Sequence, residues 1–347
     1  MNPAYDITYH LGCLEPGTVH RVGSVRQRVG GKGLNVTRIL IGLGKDCLAT
    51  GLASTEFADE AERELPADFV LGLPWVRRTI AIQETEGRQA TTGLWEPGAI
   101  PAGTAADKLV TRVAGLLYRA RGLVVSGSLP PQVDSRLPAD LARLAVAAGI
   151  PAICDVSGPA LRHAARVPGV VLMPNTDELA ELTGRAPTTP REVTAAARAL
   201  LDAGVGAVVA TRGPEGVIAV TEQGAWSARL TTPIIGNATG AGDAAAAAVI
   251  ARLAEPSGPA AIVGPAVPSD PAAKVGPAEG SAPTGSDRRL SSLRLPDMPG
   301  LLADVVATSA AAVATPVAGE IDLELRLRLL PTVVVERVDE ADREERT

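Results

Sequence analysis

The segment Asn237-Ala-Thr-Gly-Ala-Gly-Asp243, followed directly by the alanine-rich run from Ala244 to Arg252, decides the fold of this chain. Small residues that favour turns and helix caps precede a run of high helix propensity. This order directs the free N–H groups of a helix's first turn, and the positive end of its dipole, towards one point. An anion fits at that point, with the Asp243 carboxylate beside it.

Such a pairing suits phosphoryl transfer to a hydroxyl group. Main-chain donors stabilise the charge on the transferring phosphoryl group, and a carboxylate accepts the hydroxyl proton. The alternative is an ordinary glycine turn that caps a buried helix, with Asp243 as a first-turn charge. This segment alone does not separate the two interpretations, because short glycine motifs recur by chance.

A second glycine cluster lies near the start of the chain, at Val29-Gly-Gly-Lys-Gly-Leu-Asn-Val36. It leads into a predicted helix, because apolar residues recur at helical spacing through Leu43. The glycines allow the backbone to approach a polar ligand closely, and the lysine provides a point charge. The cluster is not a Walker A loop, because glycine follows the lysine where serine or threonine is needed. A tight turn with a solvated lysine is the alternative.

The two clusters resemble the two signatures of the ribokinase/PfkB family of sugar kinases. Further motifs narrow the resemblance to the branch that contains 1-phosphofructokinase and tagatose-6-phosphate kinase. Each motif is weak singly, and their order and spacing across roughly residues 1–253 and 300–322 carry the resemblance. These motifs are Asn2-Pro-Ala-Tyr-Asp6, Val125-Ser-Gly-Ser-Leu-Pro130, Asp155-Val-Ser-Gly158, Pro174-Asn-Thr-Asp-Glu178 and Thr211-Arg-Gly-Pro-Glu-Gly216.

The bulk properties favour a cytoplasmic enzyme. A chain of 347 residues can bury a full core as one large domain. The formal net charge of -6, without a basic block, argues against nucleic acid as a partner. Three scattered cysteines form no metal-binding or disulfide pattern, as expected in a reducing cytosol. No apolar run has membrane-spanning length and no secretory signal is recognisable, so we expect no membrane partner.

Short apolar segments alternate with helical stretches along most of the chain. This alternation predicts an α/β fold: a doubly wound, mostly parallel sheet flanked by helices, with ligands at the carboxyl ends of the strands. The resemblance implies the ribokinase-like form of that fold. The predicted strands lie at 122–126, 151–155, 170–173 and 207–211, and the helices at 106–119, 138–148, 176–182, 190–203 and 301–313.

Three regions depart from this alternation. Residues 79–84 and 89–95 predict a β-hairpin; with strands from the first 28 residues they form a small sheet over the site, or else they extend the main sheet. The resemblance implies a lid, with strands from about 1–28 and 76–97, and a homodimer through it. The kinase domain is predicted to span 1–335. Residues 255–299, dense in proline, glycine and alanine, predict a flexible insertion, and residues 336–347 a charged tail.

The resemblance and the residue types together assign the transfer chemistry. Asp243 is the general base, and the backbone N–H groups of Gly240, Ala241 and Gly242 form the anion hole. ATP is expected to contact Gly242 and Asp243, Asn175, and the turn formed by Thr211, Arg212, Gly213, Pro214, Glu215 and Gly216. Glu178 acts on Mg²⁺ through water, since this ion dehydrates reluctantly. The alternatives are an ordinary strand-to-turn junction and solvated polarity at a helix start.

The acceptor sugar is assigned to the N-terminal half of the chain. From the resemblance we expect Asp6 to hold sugar hydroxyls, and Gly30, Gly31 and Asn35 to line the ring. A phosphate already present on the acceptor requires cations, for which Lys32 and Arg77 are chosen because arginine binds phosphate bidentately. Further candidates at this site are Ser128, Glu96, Arg28 and Arg78.

The sequence therefore predicts an ATP-dependent, Mg²⁺-using kinase of a hexose phosphate, most simply one that converts fructose 1-phosphate to fructose 1,6-bisphosphate. Tagatose 6-phosphate is the nearest alternative acceptor. A catalytically weakened, regulatory sugar-phosphate binder is the alternative from another class, because the segment Gly51-Leu-Ala-Ser-Thr-Glu-Phe57 is degenerate. Met173 stands where the family commonly has a lysine, so no charge role is expected at that position. A nicotinamide dehydrogenase is disfavoured, because no G-x-G-x-x-G motif follows the first strand.

Overall fold

The computed structural model describes residues 1–86, 91–255 and 297–338. The predicted helices at 106–119, 138–148, 176–182 and 190–203 all form, with ends within two residues of the prediction. The strands are β1 (Ala4–Leu11), β2 (Ser24–Gly30), β3 (Leu52–Ala53), β4 (Val70–Leu71), β5 (Arg77–Glu84), β6 (Thr91–Trp95), β7 (Leu123–Ser126), β8 (Ala152–Asp155), β9 (Val171–Leu172), β10 (Ala207–Thr211), β11 (Val217–Thr221), β12 (Gly224–Leu230) and β13 (Val333–Arg337). The helices are α1 (Lys32–Gly42), α2 (Thr55–Glu64), α3 (Ala105–Leu117), α4 (Leu137–Ala147), α5 (Gly158–Ala164), α6 (Thr176–Thr183), α7 (Pro190–Asp202), α8 (Ala241–Leu253), α9 (Met298–Val313) and α10 (Leu323–Leu329).

A seven-stranded sheet in the order β13-β12-β11-β10-β9-β8-β7 lies at the centre of the molecule. Strands β7 to β10 are parallel, whereas β11, β12 and β13 pair antiparallel. The sheet is therefore mixed rather than parallel across most of its width. The reason is the short connection between Thr211 and Val217, which leaves no room for the crossover helix that a parallel pair requires.

Both faces of the central sheet are covered by helices. Neighbouring side chains of β8 show this, because Ile153 and Cys154 are fully buried in two separate hydrophobic clusters. Alternate residues of a strand point to opposite faces, so each face has its own core. On the Ile153 side, the alanines from Ala244 to Ala248 of α8 are buried against α9. Their small side chains allow the two helices to approach closely.

A second sheet of four strands, here called the lid sheet, has the order β2-β1-β5-β6. It is separate from the central sheet in the described residues, as the prediction of a small sheet with strands from the first 28 residues requires, and the alternative that these strands extend the main sheet is wrong. Strands β5 and β6 pair antiparallel from Thr79↔Trp95 to Gln83↔Thr91, as the predicted hairpin requires. Residues 87–90 of the hairpin turn lie outside the described residues.

The structure moves two predicted boundaries. Helix α9 begins at Met298, inside the predicted insertion, because the Asp297 side chain accepts a hydrogen bond from Gly300 N at 3.0 Å and caps the helix. At the other end, Glu336 and Arg337 belong to β13 rather than to the tail. Their backbones pair with β12, and the Arg337 guanidinium lies 5.4 Å from the Trp226 ring centroid. Residues 256–296 and 339–347 lie outside the described residues.

Candidate active site

The carboxylate of Asp243 is buried at the start of α8, where the sequence predicted a catalytic base. Only 4% of the residue is exposed, and Asn35 Nδ2 donates a hydrogen bond to Asp243 Oδ2 at 2.9 Å. Burial raises the pKa of Asp243 to about 7, although the Lys32 ammonium lowers it. A general base works best when its pKa lies near the working pH. The site therefore holds a carboxylate suited to accepting a proton near neutrality.

The turn before α8 exposes main-chain donors, though not all those predicted. Gly240 has φ of 89° and no side chain caps the helix. Within the described chain, no hydrogen bond uses the N–H groups of Gly240 and Gly242. Ala241 N, however, donates to Ala238 O at 3.2 Å, which closes the turn. Of the three N–H groups predicted to form the anion hole, that of Ala241 thus has a partner within the turn, and the anion hole itself stays a prediction.

The backbone at Gly240 has no room for a side chain. An added Cβ there would lie 3.0 Å from the Ala318 Cβ, and the left-handed conformation is itself costly for other residues. Both the tight packing and the conformation therefore favour glycine at this position.

Lys32 contacts a carboxylate for which the sequence analysis gave no role. Its Nζ lies 2.8 Å from Asp155 Oδ1, and Ser126 Oγ donates to Asp155 Oδ2 at 3.1 Å. Burial opposes the charge of Lys32, but the carboxylates of Asp155 and Asp243 outweigh it and raise the lysine pKa to about 12. The signal for Asp155 was present in the sequence, because it ends a buried strand, at the edge where parallel strands bind ligands.

Asp6 lies against the glycine cluster, on the inner strand β1 of the lid sheet. Its Oδ2 accepts a hydrogen bond from Gly31 N at 3.2 Å, and its Oδ1 accepts one from Thr79 Oγ1. An added Cβ at Gly30 would lie only 2.1 Å from Asp6 Oδ2, and Gly31 has φ of 94°. The two glycines are therefore needed for the close approach of Asp6 to the first turn of α1.

The structure distinguishes the candidate arginines by the face of the lid sheet they occupy. Asp6 on β1 pairs with Arg28 on β2 and with Thr79 on β5. Arg77 lies two residues before Thr79 on the same strand. Asp6, Arg28 and Arg77 are therefore on one face, and Arg78 is on the other. Arg77 is half-buried and donates to Glu96 O at 2.9 Å, while Arg78 forms an exposed ion pair with the Glu96 carboxylate. Arg78 is thus removed from the candidate site.

Two cationic side chains on this face retain buried nitrogen atoms without a hydrogen-bond partner among the described residues. These atoms are Nε of Arg77 and both Nε and Nη2 of Arg28. Burial lowers the pKa of each guanidinium. Unpaired buried donors are costly, so each arginine retains capacity to bind an anion.

Ser128 is connected to the segment just before strand β1 of the lid sheet by a contact with Asn2. The Asn2 side chain is buried, and its Nδ2 lies within hydrogen-bonding distance of Ser128 Oγ, Pro97 O and Leu129 O. Ser128 therefore lies between the end of β7 and the segment that follows β6. The contacts describe a structural link and leave the sugar-binding role of Ser128 a prediction.

Asn175 and Glu178 form a capping box at the start of α6. Glu178 N donates to Asn175 Oδ1 at 2.8 Å, and Asn175 N donates to Glu178 Oε2 at 2.9 Å. Burial raises the pKa of Glu178, while Lys32 lowers it and Asp155 raises it again. Glu178 therefore caps the start of α6 and also lies close enough to Lys32 and Asp155 for their charges to act on it.

The predicted nucleotide turn from Thr211 to Gly216 joins the antiparallel strands β10 and β11. Thr211 forms a bridge to Asn175 and its N donates to Pro174 O at 3.0 Å, which fixes the turn beside α6. Within the turn, Arg212 forms an ion pair with Glu215. An added Cβ at Gly216, whose φ is 87°, would overlap Ala228 O at 2.0 Å. Pro214 lies in the single turn of 3₁₀ helix from Gly213 to Glu215.

These contacts place the two glycine clusters and the ends of the parallel strands at one site. The hydrogen bond of Asn35 to Asp243 joins α1 to α8, and the ion pair of Lys32 with Asp155 joins α1 to β8. The Lys32 charge lowers the pKa of Glu178 on α6. Three carboxylates, on Asp155, Asp243 and Glu178, raise the pKa of the Lys32 ammonium. The site therefore combines excess negative charge with the N-termini of two helices.

Comparison with known proteins identifies the family. The model of the pfkB family of carbohydrate kinases matches residues 1–266. The chain is 30% identical over 261 residues to a tagatose-6-phosphate kinase of Staphylococcus epidermidis, a match covering 73% of this chain and 83% of that protein. It is 33% identical over 262 residues to a 1-phosphofructokinase of Xanthomonas campestris, covering 73% and 82%.

Solved structures share the fold at low sequence identity. A possible 1-phosphofructokinase of Thermotoga maritima superposes with a TM-score of 0.77 at 20% identity, covering 97% of this chain and 98% of that one. The phosphofructokinase-2 of Escherichia coli, in complex with potassium, gives 0.76 at 22% identity, covering 95% and 96%. An Arabidopsis thaliana ribokinase complexed with ribose and ATP gives 0.63 at 16% identity, covering 95% and 96%. These likenesses confirm the ribokinase-like α/β fold.

The lengths and the polarity of the described helices bear on whether the chain spans a membrane. Among the residues described, none of the helices is long and apolar enough to span a membrane. The matched family model covers the glycine cluster at residues 30–35 and the turn at 237–243, whose contacts were described above. The chain belongs to the pfkB family of carbohydrate kinases and is an ATP-dependent carbohydrate kinase.

Proposed function

We propose that this kinase phosphorylates a hexose phosphate at a primary hydroxyl, with fructose 1-phosphate as the first candidate acceptor. The observation that carries the proposal is the Asn35–Asp243 hydrogen bond of 2.9 Å, which holds a base with a pKa of about 7 beside the free donors of Gly240 and Gly242. Relatives named tagatose-6-phosphate kinase and 1-phosphofructokinase at 30% and 33% identity support a phosphorylated acceptor. Tagatose 6-phosphate is the second candidate.

In the proposed reaction, Asp243 accepts the proton of the attacking hydroxyl. The oxygen then forms its bond to the γ-phosphorus of ATP, and the bond from that phosphorus to the bridging oxygen of ADP breaks. The N–H groups of Gly240 and Gly242, at the positive end of the α8 dipole, stabilise the charge on the transferring phosphoryl oxygens. Because these donors are fixed by the fold, they need no reorganisation during the transfer.

Asp6 and Arg77 orient the acceptor in this proposal. Asp6 is fixed by Gly31 N and Thr79, so its carboxylate is preorganised to accept hydrogen bonds from sugar hydroxyls. Arg77 lies on the same face of the lid sheet and has a buried Nε without a partner in the described residues. A phosphate at the far end of the sugar would satisfy that donor. Lys32 contributes its charge from its position on Asp155.

Magnesium fits the carboxylates of the site, although no group of three or more metal-ligating side chains stands ready within the described residues. Mg²⁺ usually takes one or two carboxylates together with substrate phosphates. Asp155 and Glu178 supply oxygen ligands of this kind beside Lys32. When bound, the ion neutralises charge on the ATP phosphates. We propose that these two residues hold it, Glu178 through water.

A homodimer through the lid sheet is also proposed. All five residues of β6 are exposed, and the side chains of Leu94 and Trp95 are 54% and 73% exposed. Edge strands with apolar side chains favour pairing with a second copy. Sedimentation at micromolar concentration tests this; a monomer there contradicts it.

The reaction is tested by ADP release with fructose 1-phosphate, tagatose 6-phosphate, fructose 6-phosphate and fructose in parallel. We expect fructose 1-phosphate to give the highest kcat/KM and the unphosphorylated sugar the lowest. Asp243→Asn should reduce kcat by about 10²–10⁴-fold while sugar-phosphate binding, followed by calorimetry, is retained. Binding without ADP release for every member of the panel would instead support the regulatory-binder alternative.

A further inference from the structure

The segment between α9 and α10, residues 314–322, packs against the turn at residues 237–243, where α8 begins, here called the catalytic turn. Asn237 Nδ2 donates to Pro316 O at 3.2 Å, and Asn237 N donates to Val313 O, at the end of α9, at 2.8 Å. The tight packing of Gly240 against Ala318 adds a second contact. The position of the turn that carries the phosphoryl-binding donors is therefore set by this segment.

The same segment also packs against the residue that holds the base. Gly319 has φ of 80°, and an added Cβ there would lie 2.7 Å from Asn35 Oδ1. Asn35 is 4% exposed and donates to Asp243. Because the interior is close-packed, a shift of Gly319 must be transmitted to the Asn35 amide.

Two further contacts connect the segment to the lid sheet. Arg28 Nη1, on β2, lies 3.3 Å from Glu320 Oε1. Gln83 Nε2, on β5, donates at 3.3 Å to Pro316 O, the carbonyl oxygen that also accepts from Asn237. One main-chain oxygen thus joins the lid sheet to the catalytic turn.

The Arg28–Glu320 pair is asymmetric in its burial. The Arg28 side chain is 16% exposed and that of Glu320 is 49% exposed. Burial lowers the pKa of Arg28, and among the carboxylates that oppose this lowering Glu320 has the largest effect. A mostly buried guanidinium depends on its partner far more than an exposed one does. Arg28 also pairs with Asp6 in the β1–β2 register, so any movement of β2 moves the sugar-binding face with it.

We propose that Glu320 and Arg28 are positioning residues that couple the lid sheet to the catalytic turn through residues 314–322. The Arg28–Glu320 and Gln83–Pro316 contacts hold Gly319 and Ala318 in place. These residues in turn hold Asn35, Asp243 and Gly240 in the geometry for transfer. The position of the lid sheet and the transfer geometry are thereby linked. The inference rests on the carbohydrate-kinase reaction and does not depend on which hexose phosphate is the acceptor.

The first test measures amide hydrogen exchange in the full-length protein without ligands. Glu320→Gln keeps the shape of the side chain and removes its charge. We expect exchange in the peptides that span 237–243 to become about 3- to 10-fold faster, because the coupling contact is weakened. The matched control is Glu324→Gln, which removes an exposed carboxylate from a pair with Arg328 on the adjacent helix. Equal exchange at 237–243 in the two variants would overturn the proposal.

The second test uses kinetics with the best acceptor of the hexose-phosphate panel. Glu320→Gln should lower kcat by about 5- to 20-fold with KM for ATP within about twofold, and should raise ATP hydrolysis without acceptor relative to transfer. A fall in kcat that accompanies faster exchange throughout the protein and a lower Tm would show a merely structural role and would overturn the proposal. If no acceptor is phosphorylated by the parent protein, the proposed function fails, whereas the exchange measurement still decides this inference.

A double-mutant cycle completes the test. Arg28→Gln combined with Glu320→Gln removes the buried charge together with its partner. We expect the double variant to exchange at 237–243 no faster than Glu320→Gln alone, because contacting residues are non-additive. Additive effects of the two substitutions would contradict a shared contact.

Discussion

Asn35 donates a hydrogen bond to Asp243, across 208 residues of sequence, and joins the first turns of α1 and α8. A glycine with positive φ immediately precedes each helix, Gly31 before α1 and Gly240 before α8, and no side chain of the described residues caps either helix. The N-terminal ends of both helices, where the helix dipole is positive, therefore lie near the buried carboxylate. This arrangement explains how a base and donors for an anion occupy one site.

The raised pKa of Asp243 has a consequence for stability. The unfolded chain loses this proton near the ordinary value of 3.8, whereas the folded protein keeps it until about 7. The free energy of unfolding contributed by this group therefore falls as pH rises between these values. Asp243→Asn removes the charge, so we expect this variant to be more stable than the parent at pH 8, on the order of a few kcal/mol. The two proteins should be equally stable near pH 4.

Urea unfolding at both pH values checks this expectation. Asp140→Asn, an exposed position on α4, serves as the control and should show no such difference. A parent protein that is more stable than Asp243→Asn at pH 8 would contradict the burial argument.

The activity should depend on the protonation of Asp243. We expect kcat/KM to rise with pH through about 7 as the carboxyl group loses its proton. Lys32 lowers this pKa, so Lys32→Gln should move the midpoint upwards by about one pH unit. The pH profile of ADP release between pH 5.5 and 9 measures it. Lys108→Gln, which removes an exposed lysine of α3, is the control; a downward or absent shift in Lys32→Gln counts against the assignment.

Gly30→Ala should weaken acceptor binding selectively. The added Cβ would displace the Asp6 carboxylate, which lies 2.1 Å away, from its bonds to Gly31 N and Thr79. We expect KM for the sugar phosphate to rise about 10-fold or more, since a displaced carboxylate loses its preorganised hydrogen bonds, while KM for ATP changes little. Gly33→Ala is the matched control, because its added Cβ would have no atom within 4 Å among the described residues outside its chain neighbours and the backbone of its own helix. Equal effects of the two substitutions in steady-state kinetics would contradict the role given to Asp6.

Glu178→Gln should separate the structural and ionic roles of this residue. Glutamine keeps the capping box with Asn175, so the stability of α6 should be preserved. Removal of the charge should raise the Mg²⁺ concentration for half-maximal rate by about 3- to 10-fold. Titration of the rate with Mg²⁺ at saturating ATP measures this effect. Asp177→Asn, at an exposed position of the same helix, should leave the Mg²⁺ dependence unaltered.

Much of the fold was predictable because it rests on local patterns. Helix starts such as Pro190 and the capping residue Asn175 act within a few residues of sequence, and buried strands such as β10 are marked by continuous apolar runs. The mixed character of the sheet was not predicted. It depends on the short connection after Thr211, which local propensity does not relate to strand direction.

By itself, the sequence determined which residues have the chemistry for the site. It marked the two glycine clusters, the polar residues that end the parallel strands, and Asp243 at the start of a helix. These features follow from backbone freedom, propensity and periodicity, which are properties of short segments.

Only the tertiary structure decided which of these residues touch. It placed Lys32 on Asp155, engaged Ala241 N in the turn, turned Arg78 away from Asp6, and brought Glu320 to Arg28 across 292 residues. The physical reason is that such contacts depend on strand order, register and helix packing. Those are properties of the whole chain, and no local pattern encodes the partner of a buried charge.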